Sequence, residues 1–251
     1  MKLTKKYLED LKLRDAFNSS HIEGNTLTFG ETYCLLLDNK TPNRTVNLRE
    51  LNEVQNYESA WNLIEKSLNH NKSVSKDLIR DIHFTLTSNI KGIVSGEFRD
   101  YDVLVSGSNT IPPAHQNIYP LMDNFLYKFE SLNIDSLSVE KKYKAIISFH
   151  LEFESIHPFQ DGNGRIGRSL MIFQCLQHDL APLIIKETKR TEYISLVSRS
   201  SEEYFKELSV NDTTSLFYDH FKEDIIEESK RFKISQDEPT IESNDDYEIG
   251  N

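Results

Sequence analysis

His157-Pro158-Phe159-Gln160-Asp161-Gly162-Asn163-Gly164-Arg165-Ile166-Gly167-Arg168 sits between two apolar periodicities. Upstream, Val139, Tyr143, Ile146, Ile147, His150 and Phe153 recur on one helical face that ends near Ile156; downstream, Leu170 to Leu176 reads as an apolar helix. The stretch is therefore a glycine-rich loop feeding a second helix. Amide groups at a helix start attract anions, and Gly162 and Gly164 let a ligand approach without a Cβ in the way. Phosphate is the natural anion. Arg165 and Arg168 stand three apart in the first turn, on one face and beside the positive end of the helix macrodipole. Cations there are unfavourable unless an anion joins them, so their placement argues for polyphosphate binding. Asp161, a lone carboxylate beside these cations, suits Mg²⁺, which takes one or two protein carboxylates plus substrate phosphates. His157 can accept the proton of an incoming hydroxyl. Each residue has a bland reading alone: a structural histidine, a turn, a solvated pair of arginines. A base, a metal ligand, an anion nest and two cations within twelve consecutive residues are harder to explain by packing.

Outside this stretch helical periodicity dominates. Leu51, Val54, Trp61, Ile64 and Leu68 fit one helix face, as do Leu78, Ile79, Ile82 and Leu86. Thr28-Phe29-Gly30-Glu31 reads as a capping box that opens the Tyr33–Leu37 run. The exception lies between Phe98 and Pro113: Tyr101-Asp102-Val103-Leu104-Val105 alternates, Ser106-Gly107-Ser108-Asn109 turns, and Thr110-Ile111 precedes two prolines. That pattern predicts a short β-hairpin in a mainly α protein. No internal repeat or Pro- or Ser-rich linker divides Met1 to Ile234, which favours a single domain with helical additions at both ends. Residues 235–251 hold Asp237, Glu238, Glu242, Asp245, Asp246 and Glu248 and no Lys or Arg, so they read as an acidic, disordered tail that contributes −6 of the chain's −11.

Composition narrows the function classes. With 37% hydrophobic and 27% charged residues in 251, the chain has enough apolar surface for a sizeable core. Its 29 Lys plus Arg against 40 Asp plus Glu disfavour nucleic acid as the primary partner. No stretch approaches the roughly 20 uncharged apolar residues of a membrane span, and the N-terminus has no apolar core of a secretory signal. A cytoplasmic protein without membrane contact is the expectation. Cys34 and Cys175 each lie in an apolar run without metal-ligand spacing, as core residues in a reducing compartment would.

His157 to Arg168 matches the Fic-family signature HPFx(D/E)GNGRxxR at every fixed position, and the chain resembles that family. The resemblance extends to Phe153-Glu154-Ser155-Ile156, to Gly96-Glu97-Phe98-Arg99 with the hairpin, and to Arg190-Thr191-Glu192-Tyr193, covering about Ser19 to Tyr193. Fic proteins are mainly helical and generally move AMP from ATP to a protein hydroxyl. The resemblance implies His157 as the base and Asp161 as the Mg²⁺ ligand. It implies Asn163 and the adjacent amides on the α-phosphate, Arg165 on the α/β-phosphates and Arg168 on the γ-phosphate, with Gly162, Gly164 and Gly167 in the same nucleotide-binding set. The hairpin resembles the family's flap, in which Val103, Leu104, Val105 and Ser106 would pair with an extended segment of a target protein and roof the nucleotide. Tyr193 resembles the aromatic residue of the adenine pocket, although Ile194 stands where a second Tyr is frequent and Ser200 or Ser201 where an Asn falls. Asn18-Ser19-Ser20-His21-Ile22-Glu23-Gly24-Asn25 carries Ser19-x-x-x-Glu23-Gly24, similar to the inhibitory motif (S/T)xxxE(G/N), ahead of the core as in class II members. A Ser and a Glu four apart share a helix face, and Gly24 or Asn25 can end that helix. Glu23 would then pair with Arg168 and withhold it from ATP. The expected organisation is an N-terminal helical region with this motif (1–45), a Fic core with C-terminal helices (46–234) and the tail (235–251). The expected activity is autoinhibited, Mg²⁺-dependent AMP transfer, auto-modification included. Removal of AMP at the same site and a nucleotide-sensing module with little turnover are the alternatives, and self-association into a homo-oligomer stays open.

Overall fold

A computed structural model describes residues 3–105 and 110–237. Side-chain caps start the first helices where the sequence supplies them. Thr4 accepts from the Tyr7 amide at 3.3 Å ahead of α1 (Lys5–Ile22). Thr28 and Glu31 form the reciprocal capping box of α2 (Phe29–Leu37), with bonds of 3.2 and 2.8 Å, as expected. Asn47 caps α3 (Leu48–Asn69), and Ser75 caps α4 (Lys76–Thr87). There follow α5 (Ile118–Glu130), α6 (Val139–Ile156), α7 (Asn163–Gln177), α8 (Arg190–Glu207) and α9 (Asn211–Asp237). Among the described residues no helix is long and apolar enough to cross a membrane.

α6 and α7 form the centre. From Phe149 to Ile156 every side chain of α6 is buried, and α7 is buried almost throughout. α6 packs on α5, α7, α8 and α9, while α7 also meets α1, α3 and α4. The apolar face predicted for α6 starts one turn late, because Val139 is 62% exposed and Tyr143 is the first buried residue. Phe125, Phe149 and Phe153 cluster at ring distances of 4.5 to 6.4 Å. Each such burial contributes about 1.5–3 kcal/mol and fixes the rigid end of α6 from which the loop departs. Cys175 belongs to this core, where burial pushes its thiol up to about 12; Cys34 is only half-buried.

The hairpin expectation is corrected. Among the described residues there is no strand: 102–105 have no regular hydrogen-bonded structure, and Ser106 and the turn residues 107–109 lie outside the described residues. The alternation itself persists, with Leu104 81% exposed between half-buried Val103 and Val105. A two-stranded ladder needs donors on both sides, and Pro112-Pro113 have none to give. Of the proposed tail, Ser235 is buried in α9, which runs on to Asp237; the tail residues 238–251 are outside the described residues.

Candidate functional site

The loop is shaped by its own backbone and by α4. His157 caps α6 in the left-handed region (φ 51°), which turns the chain away from the helix axis. Asn163 then closes the turn: its side chain accepts from the Phe159 amide and donates to the Phe159 carbonyl, both at 2.9 Å. Gly162, at φ 84°, precedes the first residue of α7, whose opening amides have no partner within the helix. His83 of α4 stacks on Phe159 at 3.9 Å and ties the loop from behind. Its Nδ1 accepts from the Gly96 amide at 2.7 Å, so Nε2 carries the proton and donates to the Asp161 carbonyl at 3.2 Å. Burial lowers the His83 pKa to about 4, which keeps this tautomer neutral.

Asp161 and Arg165 meet two residues of α3. Arg49 donates to Asp161 Oδ2 at 2.6 Å and to Glu53 Oε1 at 2.9 Å, while Arg165 reaches Asp161 Oδ1 at 3.3 Å and Glu53 at 3.5 Å. Burial opposes ionisation of Asp161, yet Arg165 and Arg49 hold its carboxyl below the usual range. Arg165 is 1% exposed, and its Nε and Nη1 make no hydrogen bond among the described residues. Buried cationic donors at a helix N-terminus whose nearest carboxylate, Glu53, is a long 3.5 Å away suit an anion. Among the described residues no group of three or more His, Cys, Asp or Glu could hold a metal. A single ionised, partly exposed carboxylate fits Mg²⁺, which keeps water and phosphate oxygens for its other positions, and half-exposed Arg49 is the side chain that would give way.

Arg168 is 3% exposed and fully engaged. Its Nε donates to Ser19 Oγ at 2.8 Å, Nη2 to Ser19 O at 3.0 Å and to Glu23 Oε1 at 2.6 Å, and Nη1 to the Tyr193 hydroxyl at 3.2 Å. Burial works against its charge, and Tyr193 and Glu23 more than offset that, so its pKa is raised. The pairing of Glu23 with Arg168 that the sequence suggested is present in the geometry. It follows from the end of α1: the Asn25 amide donates to Ser20 O at 3.1 Å and the Gly24 amide to His21 O at 3.0 Å, with Gly24 at φ 97°. That C-terminal turn sets Glu23 beside the start of α7. A Cβ on Gly164 would strike the Glu23 carboxylate, so the carboxylate rests directly on the anion nest. Arg190 Nε donates to Ile22 O at 2.7 Å and holds the end of α1 against α8.

His157 borders an open cleft of about 460 Å³ whose walls include Val105, Thr110, Pro112, Glu154, Ile194 and Val197. Burial, with Arg99 nearby, lowers the His157 pKa to about 4, so the imidazole is neutral at pH 7. Arg99, 4% exposed, donates to the carbonyls of His157 (2.8 Å), Tyr101 (3.2 Å) and Pro113 (2.5 Å), clamping the base of the 102–113 segment to the loop. Three of the expected nucleotide-binding residues are placed differently from the others. Gly167 does not face the loop: its Cβ position meets Glu154 Oε1 and His150 Nδ1 of α6 at 2.7 Å, so it serves close helix packing. Tyr193 is buried behind Arg168, with its hydroxyl 3.0 Å from His150 Nε2, and its neighbour Ile194 lines the cleft instead. The Asn163 side chain is spent on the loop backbone, which leaves its amide for a ligand. Arg49, Glu53 and His83 carry no signal in the sequence, whereas Arg99 carries one in Gly96-Glu97-Phe98-Arg99.

These features define a helical Fic-type unit, and residues 73–175 match the Fic/DOC family. Over that stretch the chain carries a Fic domain. The protein adenylyltransferase Fic of Drosophila grimshawi is 30% identical over 191 residues, which are 74% of this chain and 37% of that protein. The chain thus spans little more than a third of that relative's length. Among solved structures, a Fic domain containing signaling protein from Bacteroides thetaiotaomicron has a TM-score of 0.82 and 21% identity, covering 95% of this chain and 93% of that one. Fic-1 from C. elegans has a TM-score of 0.72 and 21% identity, covering 92% of this chain and 64% of that one. At such identities the structural likeness is one of fold.

Proposed function

We propose that the chain is an autoinhibited, Mg²⁺-dependent protein adenylyltransferase with its inhibitory helix ahead of the core. It transfers AMP from ATP to a hydroxyl of a target protein, its own chain included. The observation that carries this reading is the convergence of neutral His157, ionised Asp161, the Arg165 donors that make no hydrogen bond among the described residues and the amide end of α7 on one loop. The names of the curated relatives support it. In the reaction the target hydroxyl oxygen attacks the α-phosphorus, the bond to the bridging oxygen breaks, pyrophosphate leaves, and the hydroxyl proton passes to His157. A low-pKa imidazole accepts that proton because the phosphate charge beside it stabilises the imidazolium as it forms. The amides of Asn163 and Gly164 hold the α-phosphate, and Arg165 spans the α- and β-phosphates. Asp161 would hold Mg²⁺, which supplies charge neutralisation at the phosphates when bound. The extended 102–105 segment, with Leu104 outward, offers its backbone to an extended stretch of target.

Glu23 withholds Arg168 from the γ-phosphate. Labelled-ATP transfer in lysate and onto the chain itself tests this: Glu23→Gly should raise labelling, and Glu23→Gly with Arg168→Ala should return it to the wild-type level. Equal labelling by wild type and Glu23→Gly would reject autoinhibition, and no labelling by either would reject transfer. The carboxylate of Glu23 on the α7 nest favours a second reading, AMP removal, in which Glu23 orients a water. Release of AMP from a modified target that is lost in Glu23→Gly would select it. Nucleotide binding without transfer or release in any form would leave the sensing module.

A further inference from the structure

Glu154 has no part in the chemistry described above, yet it stands on the cleft wall three residues before His157. It is 8% exposed, and its Oε1 makes no hydrogen bond among the described residues. That oxygen lies against α7 at Gly167. The charged and titratable groups facing it are Arg168 from α7, Glu23 from the end of α1, Tyr193 from α8, and His150 and His157 of its own helix. Arg168 is taken by Ser19, Glu23 and Tyr193. Burial therefore pushes the Glu154 carboxyl up to about 8; Arg168 opposes the rise and Glu23 adds to it. At neutral pH the group is a carboxylic acid with an O–H to donate. The cleft beside it is walled by Val105, Pro112, Ile194 and Val197, with Thr110, Ser155, His157, Ser198 and Ser201 also on its wall. Apolar walls with a small number of placed polar groups are the environment that binds a flat heterocycle, and among those groups Glu154 is the carboxyl.

We infer that Glu154 reads the base of the nucleotide, donating its carboxylic O–H to a ring nitrogen of the purine. The inference rests on the nucleotide-transfer reading and adds to it the residue that recognises the base. A ring nitrogen is an acceptor, so the bond exists only while Glu154 keeps its proton. It is present below about pH 8 and lost above. A carboxamide supplies an N–H in the same place at every pH, and leucine supplies none.

The test is calorimetric titration with ADP, which lacks the γ-phosphate and so does not report on Glu23, and with its 1-deaza, 3-deaza and 7-deaza analogues. Wild type should bind one analogue about three- to tenfold more weakly than ADP, the worth of one hydrogen bond. Glu154→Leu should lose a similar factor for ADP and bind that analogue no more weakly than ADP. Glu154→Gln should bind ADP as wild type does at pH 6.5. Between pH 6.5 and 9 the wild type should lose that same factor while Glu154→Gln holds steady. Equal binding of all three analogues and ADP by wild type, or unchanged discrimination in Glu154→Leu, overturns the inference while leaving the nucleotide site intact. Absence of ADP binding in every protein at millimolar concentration removes the nucleotide reading, and this inference with it.

Discussion

Arg168 shows how one residue's partners decide its availability. Two of its three bound neighbours, Ser19 and Glu23, come from the end of α1, and only Glu23 is a carboxylate. Ser19→Ala removes one bond to a charged donor, worth about 1.5–3 kcal/mol, but leaves the ion pair. Auto-labelling by Ser19→Ala should therefore rise above wild type and stay below Glu23→Gly; labelling equal to Glu23→Gly would make the serine the stronger half of the latch. Glycines permit an equally sharp comparison. Gly167→Ala would press a methyl onto Glu154 and His150, both buried, and should cost about 1–3 kcal/mol in urea unfolding. Gly30, inside α2 with nothing within 4 Å of its Cβ position, should gain about 0.4–1 kcal/mol on change to alanine. The two were indistinguishable as letters in the sequence. His157, Asp161, Arg165 and Arg168 could be grouped by spacing because they share one loop and one helix start. Arg49, Glu53 and His83 could not, because they arrive from α3 and α4 and only tertiary packing brings them to Asp161.

Helices were legible where burial is one-sided. α3 and α4 were outlined by apolar residues on a single face, and the capping box located the start of α2. α6 and α7 were legible only in part: buried on nearly all sides, they show long apolar runs whose partners the sequence does not name. The 102–113 segment failed for a different reason. Alternation gives the faces of an extended chain, but a ladder also needs a paired edge, and prolines supply no donors. What anchors this segment is Arg99, which gathers three carbonyls that no pattern marks. Arg99→Ala should leave those partly buried acceptors without their donor at a cost of about 1–3 kcal/mol in stability. It should also raise the KM for a target protein more than that for ATP, because the docking segment loses its fixed base while the phosphate loop keeps His83 and Asn163. A change confined to ATP would place Arg99 in the nucleotide site.

Across the whole molecule, ionisable groups buried in their neutral forms link stability to pH in two opposite directions. Burial lowers His83 to about 4, His150 to about 3 with Arg168 adding to the effect, and His157 to about 4 with Arg99 adding. In the unfolded chain each titrates near 6.5. Below that pH the unfolded state takes up protons that the native state refuses, so stability falls as the pH drops from about 6.5 toward 4. Burial acts on the acids with the other sign. Asp15, bonded to Trp61 Nε1 at 2.9 Å, rises to about 7, and Glu154 rises to about 8, against unfolded values of 3.8 and 4.5. Here the native state holds protons that the unfolded state has already released, so this contribution to stability falls as the pH climbs from about 4 and levels off only above 7 and 8. Three histidines dominate below about pH 6 and two acids above it, so the melting temperature should peak near pH 6. It should then decline toward pH 8.5 by an amount equivalent to about 1–2 kcal/mol. Glu154→Gln removes the larger acid contribution and should flatten that alkaline limb while leaving the acid limb in place. Thermal melts of both proteins between pH 4 and 9 measure this directly. A wild-type melting temperature that climbs steadily from pH 6 to 8.5, or an alkaline limb unchanged in Glu154→Gln, would mean that Glu154 is ionised in the folded protein and has no proton to donate.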